Sequence, residues 1–228
     1  MSGVTRLPGH PVTRFSVTRF GSAVEIAFDD GAMNLLSSEA LQELRHVLTG
    51  RPGDRVTIFK SGRPNIFAAG ADMAEMQRFS PFDAYEFARL GQEVFAEIER
   101  LPCVTVALID GDCFGGALDL VLAFDFRFAT PRARFAHPGA RLGIVTGFGG
   151  TSRWRRVISR PAAHQLFLAN RVLSAEDALR MKLVDRIAES HDDEIARLVP
   201  RASLKELALH GEQLSREELL LLARRIDC

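Results

Sequence analysis

The stretch VTVALIDGDCFGGALD, residues 104–119, decides the fold class. Its first six residues are apolar or β-branched and end at an Asp-Gly pair, which predicts a buried strand over residues 104–109. Small residues then form a turn, and a helical pattern follows over residues 115–122. Strand, glycine-rich turn and helix in this order are typical of α/β folds. The chain is therefore predicted to be α/β.

Short strand patterns alternate with helical patterns on both sides of this stretch. We predict a hairpin of strands 15–20 and 23–28, further strands at 55–60, 124–129 and 134–136, and a helix from about residue 38 to residue 49. A loop over residues 61–70 precedes one long helical segment that ends at Pro102, and Gly143 opens a glycine-rich loop before a helix through Trp154 and Ile158. Capping boxes at Ser174 and Ser215 predict two later helix starts. The pattern is charged and helical from residue 190, so we predict an α/β core, 1–189, and a helical segment, 190–228.

The composition excludes several classes of protein. The 29 basic and 29 acidic residues of the 228 balance, which argues against nucleic acid as the main partner. The longest apolar runs are too short to cross a bilayer, and the first 25 residues carry no signal-peptide pattern. The cysteines, Cys103, Cys113 and Cys228, lack metal-ligand spacing and are odd in number, so we expect a reduced, cytoplasmic protein without a metal site.

Two turns made of small residues are candidate binding loops. FAAGADM, residues 67–73, and GDCFGGALD, residues 111–119, each place small residues between a strand and a helix. Such turns allow another molecule to approach backbone N–H groups, and two N–H groups from separate loops would form an oxyanion hole. The alternative is that each is a tight turn that only packs a helix onto a sheet.

Five segments in order resemble the crotonase family, also called the enoyl-CoA hydratase/isomerase superfamily. They are AMNLLSSEAL (32–41), FAAGADMAEM (67–76), IDGDCFGGALDLVLAFDFRFAT (109–130), FAHPGARLGIVTGFGGTSRWRR (135–156) and SAEDALRMKLVDRI (174–187). The resemblance covers roughly residues 12 to 190. It implies a crotonase-type ββα superhelix with a short C-terminal helical tail. It also implies a homotrimer or hexamer, although the tail is shorter than is usual in the family.

The resemblance assigns roles to individual residues. It implies that the N–H groups of Ala71 and Gly116 hold the thioester oxygen of an acyl-CoA and stabilise an enolate there. It implies that coenzyme A, as part of the substrate rather than a cofactor, contacts five residues: Gly31, Ala32, Met33, Ala69 and Met73. A basic residue is common in the family where this chain has Gly31, so CoA binding needs another cation.

The acidic positions of the family are only partly filled. Asp119 lies three residues after Gly116, one helical turn away, and is expected to act as general base or acid. The alternative is an aspartate held by the helix dipole. The hydratases' second acidic position falls on Gly139, and a third position, used by dienoyl isomerases, falls on Gly147. His137 is close enough in sequence to substitute, although a histidine beside proline is more often structural.

The resemblance implies an enzyme of fatty acid metabolism that acts on an acyl-CoA by enolate chemistry. One carboxylate suffices to move a proton between the α and γ carbons, so double-bond isomerisation is narrowly preferred to hydration. Decarboxylation is an alternative reaction. A different class of function is a catalytically weak acyl-CoA-binding relative, as Gly139 and the short tail would suggest.

Overall fold

The computed structural model describes residues 14–20, 23–49 and 55–189. The strands are β1 (Phe15–Phe20), β2 (Ala23–Phe28), β3 (Leu35–Leu36), β4 (Val56–Ser61), β5 (Ile66–Ala68), β6 (Gly70–Ala71), β7 (Val104–Ile109), β8 (Asp112–Phe114), β9 (Phe126–Ala129), β10 (Arg134–Ala136), β11 (Leu173–Ser174) and β12 (Arg186–Ile187). The α-helices are α1 (Ser38–Thr49), α2 (Met73–Met76), α3 (Pro81–Arg100), α4 (Gly116–Val121), α5 (Gly150–Val157), α6 (Arg160–Ala163) and α7 (Ala175–Arg180). A 3₁₀ turn spans Pro138–Leu142 and a π-helical turn spans His164–Leu168. The predicted α/β class is confirmed.

The main sheet has six strands in the order β1-β2-β4-β7-β9-β12. β1 and β2 form the predicted antiparallel hairpin, and every later neighbour pairs in parallel. All six residues of β7 are buried, as expected for a central parallel strand covered on both faces. Ala107 and Ile109 join the large core that also holds the helices, whereas Val104, Val106 and Leu108 belong to a second cluster with strands β4 and β9.

The helices α1 and α3 pack against each other beside the large core. Leu41, Leu44 and Leu48, the predicted apolar face of α1, are all buried. Across the surface between the helices, Arg45 of α1 donates hydrogen bonds to Glu93 and Glu97 of α3. The apolar spacing of three and four residues thus positions α1 as the sequence predicts.

A second sheet of very short strands carries the loops that matter most for function. Its order is β11-β10-β8-β5, and β3 and β6 form a separate parallel pair. β5, β6 and β8 were not predicted, because residues 61–70 were interpreted as a loop and residues 111–115 as a turn. Strands of two or three residues are too short to show a period of two, so their sequence carries no strand signal.

The predicted long helical segment before Pro102 divides into two helices. α2 ends at Met76, and α3 begins at Pro81 after Ser80 and Asp83 form a capping box. Proline at the first helical position starts a helix but cannot continue one, which explains the break. The capping box at Ser174 is confirmed. The predicted helix start at Ser215, the segment 190–228 and its boundary lie outside the described residues.

No helix in the described part of the chain combines the length and the apolar character needed to span a bilayer. Cys103 and Cys113 are buried and form no disulfide, and Cys228 lies outside the described residues.

Candidate active site

A cavity of about 300 Å³ lies where β6, α4 and the glycine-rich loop after the 3₁₀ turn meet. Its wall brings together five residues that the sequence singled out: Ala69, Ala71, Met73, Gly116 and Asp119. His137, Gly139 and Gly147 line the same cavity, although they lie on a later part of the chain. Apart from these, the wall is mostly apolar, as is common for small-molecule sites.

The two predicted binding loops meet backbone to backbone at this cavity. A side chain on Gly70 would place its Cβ 2.7 Å from the Phe114 carbonyl oxygen and 3.0 Å from the Gly116 nitrogen. Gly70 also has φ of +99°, a conformation that other residues rarely adopt. Only glycine therefore permits this close approach between the loops.

The same contact brings the two candidate donor amides together. Gly116 is the first residue of α4, so its N–H has no acceptor inside the helix. A Cβ built on Gly116 would lie 3.4 Å from the Ala71 nitrogen. The two candidate amides therefore lie close together on loops that line one cavity.

Asp119 is the buried acidic group of the cavity, with a relative exposure of 1%. Its Oδ2 accepts a hydrogen bond from the Thr146 hydroxyl. Burial raises the pKa of Asp119 from 3.8 to about 7, and the hydrogen bond from Thr146 is the largest influence in the opposite direction. A carboxyl group with a pKa near neutrality can both accept and donate a proton.

Glycine at position 150 makes room for the Asp119 side chain. A Cβ on Gly150 would lie 1.9 Å from Oδ1 of Asp119, so any larger residue would push the carboxyl group away. Gly150 is the first residue of α5, directly after the loop that carries Thr146. The glycine-rich motif therefore does more than turn the chain, because it shapes the space around the acid.

Thr146 was not predicted as a site residue. The only sequence signal is its place as a hydroxyl residue within the glycine-rich loop that begins at Gly143. That loop was recognised, but nothing local shows that its threonine points at a carboxyl group 27 residues earlier.

His137 lies beside Asp119, which the sequence suggested only weakly. It follows β10, its relative exposure is 6%, and its ring packs 5.0 Å from the ring of Phe167. Its Nε2 is 3.8 Å from Oδ1 of Asp119. Burial lowers the pKa of His137 and so favours its neutral imidazole.

The two glycines at the family's other acidic positions differ in the space around them. A Cβ on Gly139 would lie 2.7 Å from the Ile144 carbonyl oxygen and 3.0 Å from Cε1 of His137. At Gly147 the nearest atom to a built Cβ is the Ala88 side chain at 3.4 Å, an ordinary contact. This backbone therefore has no room for a side chain at Gly139, whereas a Cβ at Gly147 would make only ordinary contact.

The predicted CoA-contacting segment lies against the first loop. Ala69 donates a backbone hydrogen bond to the Met33 carbonyl at 3.0 Å, and β3 pairs in parallel with β6. Met33 is 50% exposed and Met73 is 39% exposed, which leaves both available to a ligand. The fold thus places Met33, Ala69 and Met73 near one another on an accessible surface.

The segment around Gly31 is acidic rather than basic. The N–H of Gly31 donates to Asp29, and the N–H of Ala32 donates to Asp30. Arg63 Nη1 lies 3.7 Å from Asp29 Oδ1 and is a cation within reach of this segment. Among the described residues, no group of His, Cys, Asp and Glu side chains is placed to hold a metal ion.

Comparison with known proteins agrees with this geometry. Residues 19–204 match the family described as enoyl-CoA hydratase/isomerase. The chain is 36% identical over 164 residues to the crotonyl-CoA hydratase of Syntrophomonas wolfei, a match that covers 71% of this chain and 63% of that protein. It is 34% identical over 161 residues to the short-chain-enoyl-CoA hydratase of Clostridium acetobutylicum, covering 69% and 62% respectively. The chain thus spans less than two thirds of the length of these curated relatives.

Solved structures show the same architecture. The structure of DspI from Pseudomonas aeruginosa superposes with a TM-score of 0.77 at 25% identity, covering 96% of each chain. The structure of enoyl-CoA hydratase from Bacillus anthracis superposes with a TM-score of 0.77 at 26% identity, covering 93% of this chain and 89% of that one. The expected crotonase-type fold is therefore confirmed over the described core.

Proposed function

Because the chain belongs to the enoyl-CoA hydratase/isomerase family, we propose that it catalyses proton transfer at the α-carbon of an acyl-CoA thioester. The observation that carries the proposal is Asp119, a buried acid with a pKa of about 7 that lines the cavity one helical turn from Gly116. A structural aspartate held by the helix dipole would favour ionisation, whereas this one is held near its neutral form.

In the proposed reaction the thioester oxygen accepts hydrogen bonds from the N–H groups of Ala71 and Gly116. When Asp119 removes the α-proton, the electron pair of that C–H bond moves towards the thioester oxygen and forms an enolate. The two amides stabilise the new charge, and one such donor is worth about 3 kcal/mol in comparable sites. Asp119 then holds the proton that completes the reaction at another carbon.

Two reactions follow from this chemistry. Isomerisation of a double bond returns the proton from Asp119 to the γ-carbon and needs only one carboxyl group. Hydration adds water to a 2-enoyl thioester and needs a second proton-transfer group, for which Gly139 offers no side chain. The names of the curated relatives, which are hydratases, support the second reaction.

The substrate would be held by its coenzyme A part. We assign contacts with it to Gly31, Ala32, Met33, Ala69 and Met73, and we assign a charge contact with its phosphates to Arg63. The support is the adjacency of Met33 and Ala69 and the position of Arg63 beside this segment. No resident cofactor enters the proposal, since coenzyme A belongs to the substrate.

The remaining parts of the proposal rest on the family and on composition. They are a homotrimeric or hexameric assembly, a role in fatty acid metabolism and a cytoplasmic location. Cys103 and Cys113 are buried and form no disulfide, which supports a reducing environment. The alternative, an acyl-CoA-binding relative with little catalysis, is disfavoured by the names of the curated relatives, which are hydratases, and by the burial that raises the pKa of Asp119.

Solvent exchange of α-protons tests the proposal directly. Butanoyl-CoA and 3-butenoyl-CoA are incubated with the protein in deuterated buffer and followed by NMR. We expect α-deuteration with the native chain and a loss of at least about 100-fold in Asp119→Asn. The control is Glu93→Gln, which removes a half-buried carboxylate on α3 that pairs only with arginines in the described structure. Exchange that survives in Asp119→Asn would remove Asp119 from the mechanism.

A further inference from the structure

One oxygen of the site has no side-chain partner within hydrogen-bond distance. Oδ2 of Asp119 accepts from Thr146, and the backbone N–H groups of Phe148 and Gly150 favour the ionised carboxyl group, but Oδ1 of this almost completely buried residue makes no close hydrogen bond with a described residue. A buried oxygen that is only partly satisfied is costly, and such atoms often mark a functional role. The polar side-chain atom recorded beside it is Nε2 of His137, at 3.8 Å.

His137 occupies the wall between two cavities. Besides the cavity described above, a second cavity of about 360 Å³ lies behind it, and the two share His137, Ile144, Val145 and Thr146. The 3.8 Å between Nε2 of His137 and Oδ1 of Asp119 is about 1 Å longer than an ordinary hydrogen bond, so the two groups are direct neighbours across the cavity wall. The ring is therefore placed to meet water in either cavity and the carboxyl group of Asp119.

Position 139 explains why the imidazole fits there. A built Cβ on Gly139 would lie 3.0 Å from Cε1 and 3.1 Å from Nδ1 of His137. A side chain at position 139 would therefore press against the imidazole in its present place, and one of the two would have to shift. The chain thus has no carboxylate at position 139, the family's second acidic position, but it has His137 beside Asp119, the first.

We propose that His137 is the second proton-transfer group of this site, exchanging a proton with Oδ1 of Asp119 and so allowing water to be added to a 2-enoyl thioester. The inference rests on the proposed function. It deepens that function because it selects hydration as a reaction that the site can perform without a second carboxylate.

The proton balance closes with these two groups alone. His137 begins as the neutral imidazole and Asp119 begins as the protonated acid. His137 removes a proton from water, the water oxygen forms a bond with the β-carbon, and the electron pair of the double bond moves into the enolate. Asp119 gives its proton to the α-carbon and becomes a carboxylate. The imidazolium then passes its proton to Oδ1, which restores both groups after the net addition of one water molecule.

Few other charges act on the pair. Arg153 acts on Asp119 electrostatically, and Asp119 in turn helps to raise the pKa of Cys113. His164 lines the second cavity but not the first. His137 and Asp119 are buried ionisable groups that face each other, so we expect the protonation of one to affect the other and the pair to titrate as one unit.

The first test compares His137→Gln with His46→Gln, which changes an exposed histidine in the last turn of α1. Hydration of 2-butenoyl-CoA and binding of butanoyl-CoA are measured for both. We expect His137→Gln to lower kcat at least about 100-fold and to leave the dissociation constant within about twofold, with both constants unchanged in His46→Gln. Hydration within about twofold of the native rate in a folded His137→Gln would overturn the proposal.

A second measurement needs neither turnover nor a His137 variant. The ¹⁵N resonances of the His137 ring are followed against pH in the native chain and in Asp119→Asn. We expect a step shared with Asp119 in the native chain that is absent from the variant, since a coupled pair titrates together. Identical single-step curves would overturn the pairing. A native chain that binds butanoyl-CoA but neither exchanges nor hydrates would instead refute the proposed function, and the titration would still decide whether the pair exists.

Discussion

Replacing Asp119 by Asn should stabilise the fold at high pH. Burial raises the pKa of Asp119 from 3.8 to about 7, so the folded chain keeps a proton there that the unfolded chain has released. The free energy of unfolding therefore falls as the pH rises from about 4 to about 7, and the loss is complete above the folded pKa. At about 1.36 kcal/mol per pKa unit, the full loss is about 4 kcal/mol.

The size of the effect depends on the pH interval chosen. Asn carries no charge, so the variant escapes the loss. We integrate the titration of Asp119 in the folded and in the unfolded chain between about pH 5 and about pH 8. Over this interval the native chain should lose about 2.5 kcal/mol of unfolding free energy relative to Asp119→Asn. For a chain of this length, that difference corresponds to about 5–10 °C in melting temperature. Urea unfolding followed by circular dichroism at both pH values measures it.

Asp83→Asn is the matched control for this experiment. Asp83 is exposed, and its hydrogen bonds with Ser80 lower its pKa. Its contribution is therefore present above the unfolded pKa and is lost only as the pH falls below it, so the variant should show no gain between about pH 5 and about pH 8. If the unfolding free energy changes with pH equally in the native chain and in Asp119→Asn, the conclusion that Asp119 is held as a buried acid is refuted.

Two further predictions concern the loop around the site. Thr146→Val removes the hydroxyl that donates to Oδ2 of Asp119, so the pKa of Asp119 should rise further and the pH profile of α-proton exchange should move to higher pH. An unmoved profile would mean that this hydrogen bond does not act on the base. Gly139→Ala should destabilise the fold by about 1–3 kcal/mol in urea unfolding, because its Cβ meets the Ile144 carbonyl. Gly147→Ala should stay within about 0.5 kcal/mol, and equal losses at the two glycines would contradict the packing argument.

Local sequence signals predicted the larger elements well. The bounds of β1, β2 and β7 agree with the prediction, and the apolar face of α1 is the buried one. These elements are long enough for a period of two or 3.6 to repeat, and their ends carry glycine, proline or capping residues. The chain's own residues decide such features, so the sequence is enough to find them.

The short strands β5 and β8 could not be predicted in this way, whereas β10 lies where the sequence predicts a strand. β5 and β8 have three residues each, and they form because β8 pairs with β5 and with β10 across 20 or more residues of sequence. Parallel pairing between distant segments is a property of the assembled fold, since neither segment forms it alone. Recognition of the family motifs located the two loops, and the pairing shows how those loops come together.

The sequence by itself determined the α/β class, the family and the candidate roles of Asp119, Ala71 and Gly116. Tertiary structure alone decided the surroundings of Asp119. The register that pairs Cys113 with Phe135 carries β8 and β10 side by side, which brings His137 to within 3.8 Å of a carboxyl group 18 residues earlier. Burial, and with it the raised pKa, arises only when several segments close around one side chain. The sequence gives the type of each residue, but the pKa of its side chain depends on its neighbours in space.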